Sequence, residues 1–556
     1  MYFANRTALI ATLILASTTT HADDRTESTW SSFRNGGNST VSGILPESWS
    51  PDRGVKWQLE TDGYGQSAPV IFDGTIYLTS TIGPMKEICA VTALNVHTGR
   101  VLWQDRQKAS ENGPSNYMYS RAAPSPVVDS LGIFAFFESG DLIAVKNTGV
   151  RMWHRNLAAE SGPFQTRHGL GSSLAQSDEL LILNLEHKGP SRLIAIRKSD
   201  GYIAWQVDRP SGSSWTSPIV TKDAVIVSSA GSVAAYTLDD GTLKWTIDGL
   251  EGNSVPSPCI ANDRLFIGAR VPEFGSASDA AKSNLCVKLM GDSAEVAWRA
   301  EGAVCDYASP IVDQDRVYFL NKVGVLSCLN AHTGKTHYRT RLGAECWATP
   351  VVAENGIYFF AKNGVTRMIA RTSDFQLLAT NQLWDPDNAP TPETYREAAG
   401  AGHGHGSRPH RHSGHEAHHG KAETGKAGHG KADHGKAETG KAEANPTQGG
   451  RGGMFAALMK QDTNQDGILQ EQELSADFRP MLKRVDTNGD GALDKSELEA
   501  MAKSFAERRR NSRSSARDPI VYGVAAIPGT LIIRTGTRLY CVTGASVAPS
   551  AEGARP

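Results

Sequence analysis

Short apolar runs and turn residues alternate along the chain in a repeating unit. Each unit has a run of alternating β-branched and aromatic residues, a turn with Gly or Asp, and a Trp four residues after the Gly position. Such runs, bounded by Asp-Gly, Asn-Asp and Asn-Gly turns, predict short antiparallel strands. The units recur every 40 to 53 residues, which is typical of a propeller blade. The Trp position is occupied by Trp103, Trp153, Trp205, Trp245 and Trp298, and then by Tyr338 and Ala379.

A second element opens each unit. A Ser/Thr-Pro step precedes six of the β-rich runs, as in PSPVV and TSPIV, and GSSLAQSDELLILN fills the third place without the Pro. Counting gives seven units over residues 67–380, and residues 519–544 add the inner strands of an eighth that ends before any Trp. Trp57 lies 46 residues before Trp103, in register with the series. We therefore predict an all-β, eight-bladed β-propeller closed by an N-terminal strand, which removes the exposed sheet edges.

These repeated positions resemble the PQQ-type, or tryptophan-docking, β-propeller family over residues 30–380 and 519–544. The opening TWSSFRNGGNST followed by LPESW is similar to the lead-in of exported PQQ-like propeller proteins of environmental bacteria. The resemblance implies that each Trp fills the interface between neighbouring blades. It also raises a PQQ-dependent dehydrogenase as an enzyme hypothesis, whereas a similar propeller serves outer-membrane β-barrel assembly as a lipoprotein scaffold.

The cysteines argue against the enzyme. The resemblance implies that a dehydrogenase holds PQQ under a disulfide between adjacent cysteines, with Ca²⁺ held by Glu, Asn and Asp. The seven cysteines here include no adjacent pair and no Cys-x-x-Cys. We therefore assign no catalytic residue, leave the cofactor-binding residues unassigned and do not expect PQQ. A disulfide scaffold or thiolate zinc site is equally disfavoured, although Cys305 and Cys346, in GAVC and GAEC of consecutive units, suggest one cross-blade disulfide.

The start of the chain predicts export. Arg6 is followed by the apolar run 8–16 and then by small residues up to Ala22, the pattern of a secretory signal peptide. At about ten residues this run is shorter than the roughly 20 that cross a bilayer, and no later segment is long and apolar enough. No Cys lies at the cleavage site, which argues against a lipid anchor. We expect a soluble monomer, periplasmic or extracellular.

The composition changes abruptly after Trp384. Residues 401–449 contain Gly, Ala, Lys, Glu and His with almost no apolar side chain, so they bury too little surface to offset their ordering entropy. The predicted organisation is a signal peptide (1–22), a lead-in (23–53), the closing strand and blades one to seven (54–383), a disordered linker (384–450), an EF-hand pair (451–510), blade eight (517–546) and a disordered tail (547–556).

The linker is rich in histidine. Nine of the 16 histidines lie within it, and neutral imidazoles at this density are able to capture zinc, nickel or copper. The alternative is a solvated linker whose histidines are incidental, and both interpretations stay open. The candidate metal-binding side chains are His403, His405, His410, His412, His415, His418 and His419.

Two twelve-residue segments, 462–473 and 486–497, have the spacing of EF-hand calcium loops. Each has oxygen side chains at positions 1, 3 and 5, Gly at position 6, an apolar residue at position 8 for a strand pair between the loops, and Glu at position 12. Ca²⁺ takes six to eight oxygen ligands, which this spacing supplies. The predicted ligands are Asp462, Asn464, Asp466, Ile468, Gln470 and Glu473 in loop one, and Asp486, Asn488, Asp490, Ala492, Asp494 and Glu497 in loop two.

The two loops differ in charge. Loop two has four carboxylates against three in loop one, where Gln470 replaces an acid, so loop two should bind Ca²⁺ more tightly. Helices are expected over residues 454–461, 474–485 and 498–508. The link between the loops is short and contains Pro480, which leaves their pairing open.

A third set of candidate residues lies just ahead of the Ser/Thr-Pro steps, where it should ring one mouth of the propeller. Mixed aromatic and hydrogen-bonding side chains at a concave mouth suit ligand or peptide recognition, although they are also the ordinary filling of a propeller axis. They are Tyr64, Arg121, His168, Trp215, Asn253, Asp306, Tyr307 and Trp347.

Two function classes follow. The favoured one is an exported, non-enzymatic scaffold with two Ca²⁺ sites, in which the propeller mouth binds a protein or small ligand. The other is a periplasmic PQQ-dependent oxidoreductase. The balance of 57 basic and 59 acidic residues argues against general binding of nucleic acid.

Overall fold

The computed structural model describes residues 29–113, 121–166, 168–271, 277–389, 461–464, 466–470, 472–474, 486, 490–494, 496–498 and 520–544. The chain divides into two compact units, one of residues 1–395 with 516–556 and the other of residues 396–515. The predicted signal peptide, the histidine-rich tract and the C-terminal tail lie outside the described residues.

The first unit is an eight-bladed β-propeller, as the repeat predicts. Each blade is a four-stranded antiparallel sheet whose strands follow one another from the axis outward. From innermost to outermost, blades one to four contain Val70–Phe72, Thr75–Ile82, Ile88–Asn95 and Val101–Lys108; Val127–Val128, Ile133–Phe136, Asp141–Val145 and Arg151–Asn156; Ala175–Gln176, Leu180–Leu185, Ser191–Arg197 and Ile203–Arg209; and Ile219–Val220, Ala224–Ser229, Ser232–Thr237 and Leu243–Asp248.

Blades five to seven continue the pattern, and blade eight joins the two ends of the propeller. Short α-helices at Leu157–Ser161 and Ala277–Lys282, a turn of left-handed residues at Arg34–Gly37 and a 3-10 turn at Pro386–Asn388 lie in the connections. The strands are Cys259–Ala261, Arg264–Ile267, Leu285–Leu289 and Ala294–Arg299; Ile311–Asp313, Arg316–Leu320, Val325–Asn330 and Thr336–Arg341; Val351–Ala353, Gly356–Phe360, Val365–Ile369 and Leu377–Gln382; and, in blade eight, Gly523–Ile527, Thr530–Arg534 and Arg538–Val542 with Val55–Glu60 outermost.

The N-terminal strand closes the ring as predicted. Val55–Glu60 pairs antiparallel with Arg538–Val542, and Trp57 lies opposite Cys541. The last blade therefore joins the two ends of the propeller sequence, and a strand from the beginning of the chain covers its outer edge.

The repeated Trp side chains dock between neighbouring blades. The indole of Trp205 in blade three donates its Nε1 hydrogen to the Leu238 carbonyl of blade four at 2.8 Å. The ring lies against Gly241, where an added Cβ would approach the indole to 2.6 Å. Five blade interfaces share this hydrogen bond: Trp57 to Val96, Trp103 to Asn147, Trp153 to Lys198, Trp205 to Leu238 and Trp298 to Ala331.

The interfaces that lack a docked Trp use different contacts. Trp245 is only partly buried, and the next glycine turn, at Gly291, has no atom within 4 Å of an added Cβ. Tyr338 packs edge-on against Phe375, with ring centroids 5.7 Å apart. An aromatic pair thus replaces the Trp–Gly contact between blades six and seven.

The Ser/Thr-Pro steps form a ring of hydroxyls around the axis. Each hydroxyl accepts a backbone N–H from the preceding blade: Ser217 Oγ accepts from Ser173 N, and Ser257 Oγ from Ser217 N, both at 2.9 Å. Gly523 holds the equivalent place in blade eight, where an added Cβ would lie 2.5 Å from Ala68 Cα. The ring consists of Ser125, Ser173, Ser217, Ser257, Ser309 and Thr349.

Residues 29–45, here called the axial segment, lie across the centre of the ring. Trp30 bridges to Ile71 in blade one, and Arg34 donates to the Pro258 and Pro310 carbonyls of blades five and six. Thr40 bridges to Val352 in blade seven. Gly529 of blade eight donates to the Ile44 carbonyl. A segment of this length contacts blades on opposite sides of the ring only by crossing the axis, a position that the lead-in sequence does not predict.

All seven cysteines are buried free thiols. The suggested Cys305–Cys346 disulfide is therefore absent. Cys305 Sγ instead donates to the Ala308 carbonyl at 2.6 Å. The two thiols belong to separate apolar clusters, one between blades five and six and one between blades six and seven, because equivalent positions in a propeller are a full blade apart.

Candidate functional site

The second unit contains both predicted calcium loops, and their glycines turn the backbone as expected. Gly467 and Gly491 have φ values of 80° and 79°, in the left-handed region that side chains disfavour. Each glycine N–H donates to the first residue of its loop at 2.9 Å, Gly467 to Asp462 Oδ2 and Gly491 to Asp486 Oδ2. The two loops therefore fold in the same way.

The loops pair with each other through the predicted strands. Leu469–Gln470 runs antiparallel to Ala492–Leu493, with Leu469 opposite Leu493. Both leucines are fully buried, together with Leu474 and Leu498. The short link with Pro480 is thus compatible with pairing, and apolar side chains beneath the ladder join the two loops into one module.

The oxygen side chains of loop one converge on its interior. Asn464 Oδ1 and Asp466 Oδ1 accept the N–H groups of Asp466 and Ile468, at 3.0 and 2.8 Å, which turns the backbone around a centre. Asp462 Oδ1 is buried and has no hydrogen-bond donor among the described residues. A buried carboxylate oxygen without a donor is costly, and a cation at the loop centre would satisfy it. The donor set therefore fits Ca²⁺.

The Glu at position 12 closes each loop. Glu473 accepts the N–H groups of Thr463 and Gln470, both at 3.0 Å, and Glu497 accepts that of Asp494 at 3.2 Å. The Gln470 N–H and the Thr463 hydroxyl lower the pKa of Glu473, and the Ser496 hydroxyl lowers that of Asp494. The carboxylates of Glu473 and Asp494 therefore remain ionised at neutral pH, as Ca²⁺ ligation requires.

Parts of the module lie outside the described residues, namely Asn488 and most of the predicted flanking helices. Across the ranges given above, no three His, Cys, Asp or Glu side chains form a ready metal cluster. The loops supply Asn and Gln side chains and backbone carbonyls alongside their carboxylates, which is the mixture of ligands that an EF-hand uses.

The propeller mouth brings four of the predicted residues into one arc of side chains. Tyr307 packs against Trp347 with ring centroids 5.1 Å apart, and Trp347 against Tyr522 at 6.1 Å. The Tyr522 and Tyr64 hydroxyls lie 2.9 Å apart, and the Arg121 guanidinium stacks 3.4 Å above the Tyr64 ring. Here called the aromatic arc, these five residues cross blades six, seven, eight, one and two.

The arc also has a charged rim. Lys362 Nζ lies 4.9 Å from the centre of the Trp347 ring, and Glu345 accepts the indole N–H of Trp347 at 2.6 Å. Tyr307 is 36% exposed, whereas Tyr64 is buried. The accessible end of the arc thus offers aromatic faces beside one cation and one anion, which suits a polar or peptide-like ligand.

The other predicted mouth residues do not join the arc. His168 and Trp215 form a separate pair, 6.0 Å between ring centroids. Asn253 is buried and donates to Ser228 Oγ and the Ser232 carbonyl, and Asp306 accepts the Lys322 N–H. Asn253 and Asp306 therefore hold local turns and are not positioned for recognition.

Comparison with known proteins follows the same two units. A family profile, PQQ_2, described as "Outer membrane protein assembly factor BamB", matches residues 49–167, 164–271 and 282–398. The chain belongs to the PQQ_2 family. A second profile, "EF hand", matches residues 478–502, which includes loop two.

Two comparisons show how low the sequence identity between this PQQ_2 chain and known proteins is. The outer membrane protein assembly factor BamB of Moranella endobia is 23% identical over 198 residues, 34% of this chain, and the match spans only 46% of that relative. A solved europium-containing methanol dehydrogenase is 10% identical with a TM-score of 0.50, covering 64% of this chain and 86% of its own. At that identity it shows a shared fold alone.

A third comparison is the crystal structure of BamB from Moraxella catarrhalis, which is 14% identical and has a TM-score of 0.44. The match covers 59% of this PQQ_2 chain and 87% of that protein. In the part of the chain that the structure describes, no helix is long and apolar enough to cross a membrane.

Proposed function

We propose that the chain is an exported scaffold whose propeller mouth binds a protein or small ligand and whose EF-hand pair binds two Ca²⁺ ions. The calcium part rests on the two loops, which fold alike and pair through Leu469 and Leu493. The residues that would hold the ions are the twelve predicted ones, and bound Ca²⁺ would supply charge neutralisation and rigidity to the module.

The scaffold part rests on the aromatic arc. A relative in the same family is named as an outer membrane assembly factor, which supports a role in protein interaction. The N-terminal signal pattern supports export to the periplasm or beyond. Trp347 and Tyr307 are the members of the arc that we assign to the partner contact, because they lie beside the charged rim formed by Lys362 and Glu345.

A pull-down from the exported fraction tests this assignment. The full chain, the Trp347→Ala/Tyr307→Ala variant and a control variant are compared with and without Ca²⁺. Tyr202→Ala is the matched control, because Tyr202 is 65% exposed and sits on the turn between the third and outermost strands of blade three, at the opposite end of the blade. Proteins retained by wild type and the control should fall at least about tenfold with the double variant, since a pair of aromatic anchors commonly contributes this much. Equal retention by all three would reject the arc as the binding surface.

The alternative is a PQQ-dependent oxidoreductase. The axial segment places Arg34 against the innermost strands of blades five and six, so this chain's own residues occupy part of the axis. We expect no stoichiometric PQQ binding by calorimetry and no dye-linked oxidation of alcohols or sugars after reconstitution with PQQ and Ca²⁺. Tight PQQ binding together with oxidation would replace the scaffold with the enzyme.

A further inference from the structure

The arginines of the outermost strands fall into two groups. In blades one to three, every one of them pairs with a carboxylate of the chain: Arg106 with Asp62, Arg151 with Asp105, Arg155 with Glu160 and Arg209 with Glu186. In blades five and six, Arg299, Arg339 and Arg341 are exposed, and none of the three lies within 4.0 Å of a carboxylate oxygen of a described residue. These three side chains, here called the arginine group, therefore lack the anion that a guanidinium binds best.

Two members of the arginine group are held in the same way. Arg299 Nη1 donates to the Lys282 carbonyl at 2.6 Å, and Arg341 Nη1 donates to the Val323 carbonyl at 3.4 Å. Each carbonyl belongs to the connection between the second and third strands of the same blade, at the mouth end of the propeller. One hydrogen bond directs each guanidinium toward the mouth and leaves its other N–H groups able to donate. Both side chains are thus positioned for a planar anion such as a carboxylate.

The arginine group lies beside the accessible end of the aromatic arc. Arg339 Nη1 lies 3.7 Å from the position of a Cβ added at Gly302, in the connection that continues to Tyr307. The turn with Lys322 is next to the same connection, because the Lys322 N–H donates to Asp306 at 2.9 Å, and Lys322 is itself exposed. The Tyr307 ring, 36% exposed, therefore lies among several cations.

Few carboxylates that reach solvent oppose these cations. In residues 300–310, 321–324 and 342–350, which form the mouth end of blade six, they are Glu301 and Glu345, because Asp306 is buried. Glu345 already binds Lys362 at 3.4 Å. Both glutamates would repel the continuous phosphates of a nucleic acid, whereas they are able to accept the N–H groups of a peptide backbone. The surface therefore favours an acidic peptide over a polymer of phosphates.

We propose that the partner bound at the aromatic arc presents an acidic segment. Its Asp or Glu carboxylates would bind Arg299, Arg339 and Arg341, and an apolar side chain of the same segment would pack on Tyr307 and Trp347. The inference rests on the proposed binding at the arc and adds the chemical class of the partner. The paired charges would set the specificity and the association rate, and the aromatic rings would supply the apolar anchor.

Fluorescence anisotropy with the full chain at constant Ca²⁺ tests the inference. The probe is a short fluorescein-labelled peptide of Glu and Asp residues around one central Phe, and its matched control has Gln and Asn at the acidic positions. The acidic peptide should bind at least about tenfold more tightly than the control peptide. Its affinity should fall at least about tenfold between about 50 and about 500 mM NaCl, because salt screens exposed charges.

Charge-reversed variants locate the effect. Arg339→Glu/Arg341→Glu should weaken binding of the acidic peptide at least about tenfold, because two attractive charges become repulsive, and Arg339→Gln/Arg341→Gln should have a smaller effect. Arg100→Glu/Lys335→Glu is the matched control. It makes the same change of net charge at two exposed residues, which follow the turn glycines at the opposite end of blades one and six. This control should change the affinity less than about twofold.

Several outcomes would overturn the inference: equal binding of the two peptides, binding of neither, or equal losses in the two charge-reversed variants. Displacement of the peptide by an oligothymidylate or by phosphatidylglycerol vesicles that bind more tightly would also overturn it, because the cations would then serve phosphates. The Trp347→Ala/Tyr307→Ala variant separates these results from the proposed function. If that variant loses the proteins of the exported fraction while Arg339→Glu/Arg341→Glu retains them, the arc is the binding surface and only the acidic partner is wrong.

Discussion

Replacing Trp205 by Ala should lower the free energy of unfolding by about 3–5 kcal/mol, the range for deleting a large buried aromatic side chain. Trp205 is 8% exposed, and its indole donates to the Leu238 carbonyl across the interface between blades three and four. The Gly241 turn leaves a flat surface for the ring. The variant would lose the apolar contact and leave the Leu238 carbonyl without its donor.

The repeat offers a matched control for this prediction. Trp245 occupies the same position one blade later but is only partly buried, and its indole N–H makes no hydrogen bond to any other described residue. Trp245→Ala should therefore cost less than half as much as Trp205→Ala. Chemical denaturation followed by far-ultraviolet circular dichroism measures both. Equal losses would mean that these Trp residues stabilise their own blades, and that docking onto the next blade contributes little.

The ring was predictable from sequence because its contacts repeat. Four of the five docked Trp residues lie one blade length from another docked Trp, and the Ser/Thr-Pro steps mark both the innermost strands and the hydroxyl ring. A periodic sequence therefore indicates a periodic structure. Trp57 completed the series at the N-terminus, which identified the strand that closes blade eight.

The axial segment and part of the mouth were not predictable, for physical reasons. Arg34 contacts Pro258 and Pro310, which are 224 and 276 residues away, and no local pattern encodes such a pairing. Tyr522 joins the aromatic arc, but its blade lacks the Ser/Thr-Pro step that marked the others. The sequence pattern makes Asn253 a candidate for ligand recognition or for filling of the axis, and a short amide in a loop is readily satisfied by nearby groups, as it is here by Ser228 and Ser232.

The loop geometry leads to the second large effect, on Ca²⁺ affinity. Wild type should bind two Ca²⁺ ions by calorimetry, and Glu497→Gln should weaken the tighter site on the order of 100-fold, because position 12 supplies two of the ligand oxygens. Glu497 belongs to the loop with four carboxylates. Glu497 is only 4% exposed, so water cannot easily replace the lost carboxylate oxygen.

Glu473→Gln is the matched variant in loop one and should weaken the looser site. Because Leu469 and Leu493 pair between the loops, each variant should also reduce affinity at the other site, by a smaller factor, and Leu493→Ala should diminish that coupling while both sites still bind. If Glu497→Gln leaves both affinities unchanged, position 12 is not a ligand. If Glu497→Gln weakens one site and leaves the affinity of the other unchanged, Glu497 is a ligand but the strand pair does not couple the two sites.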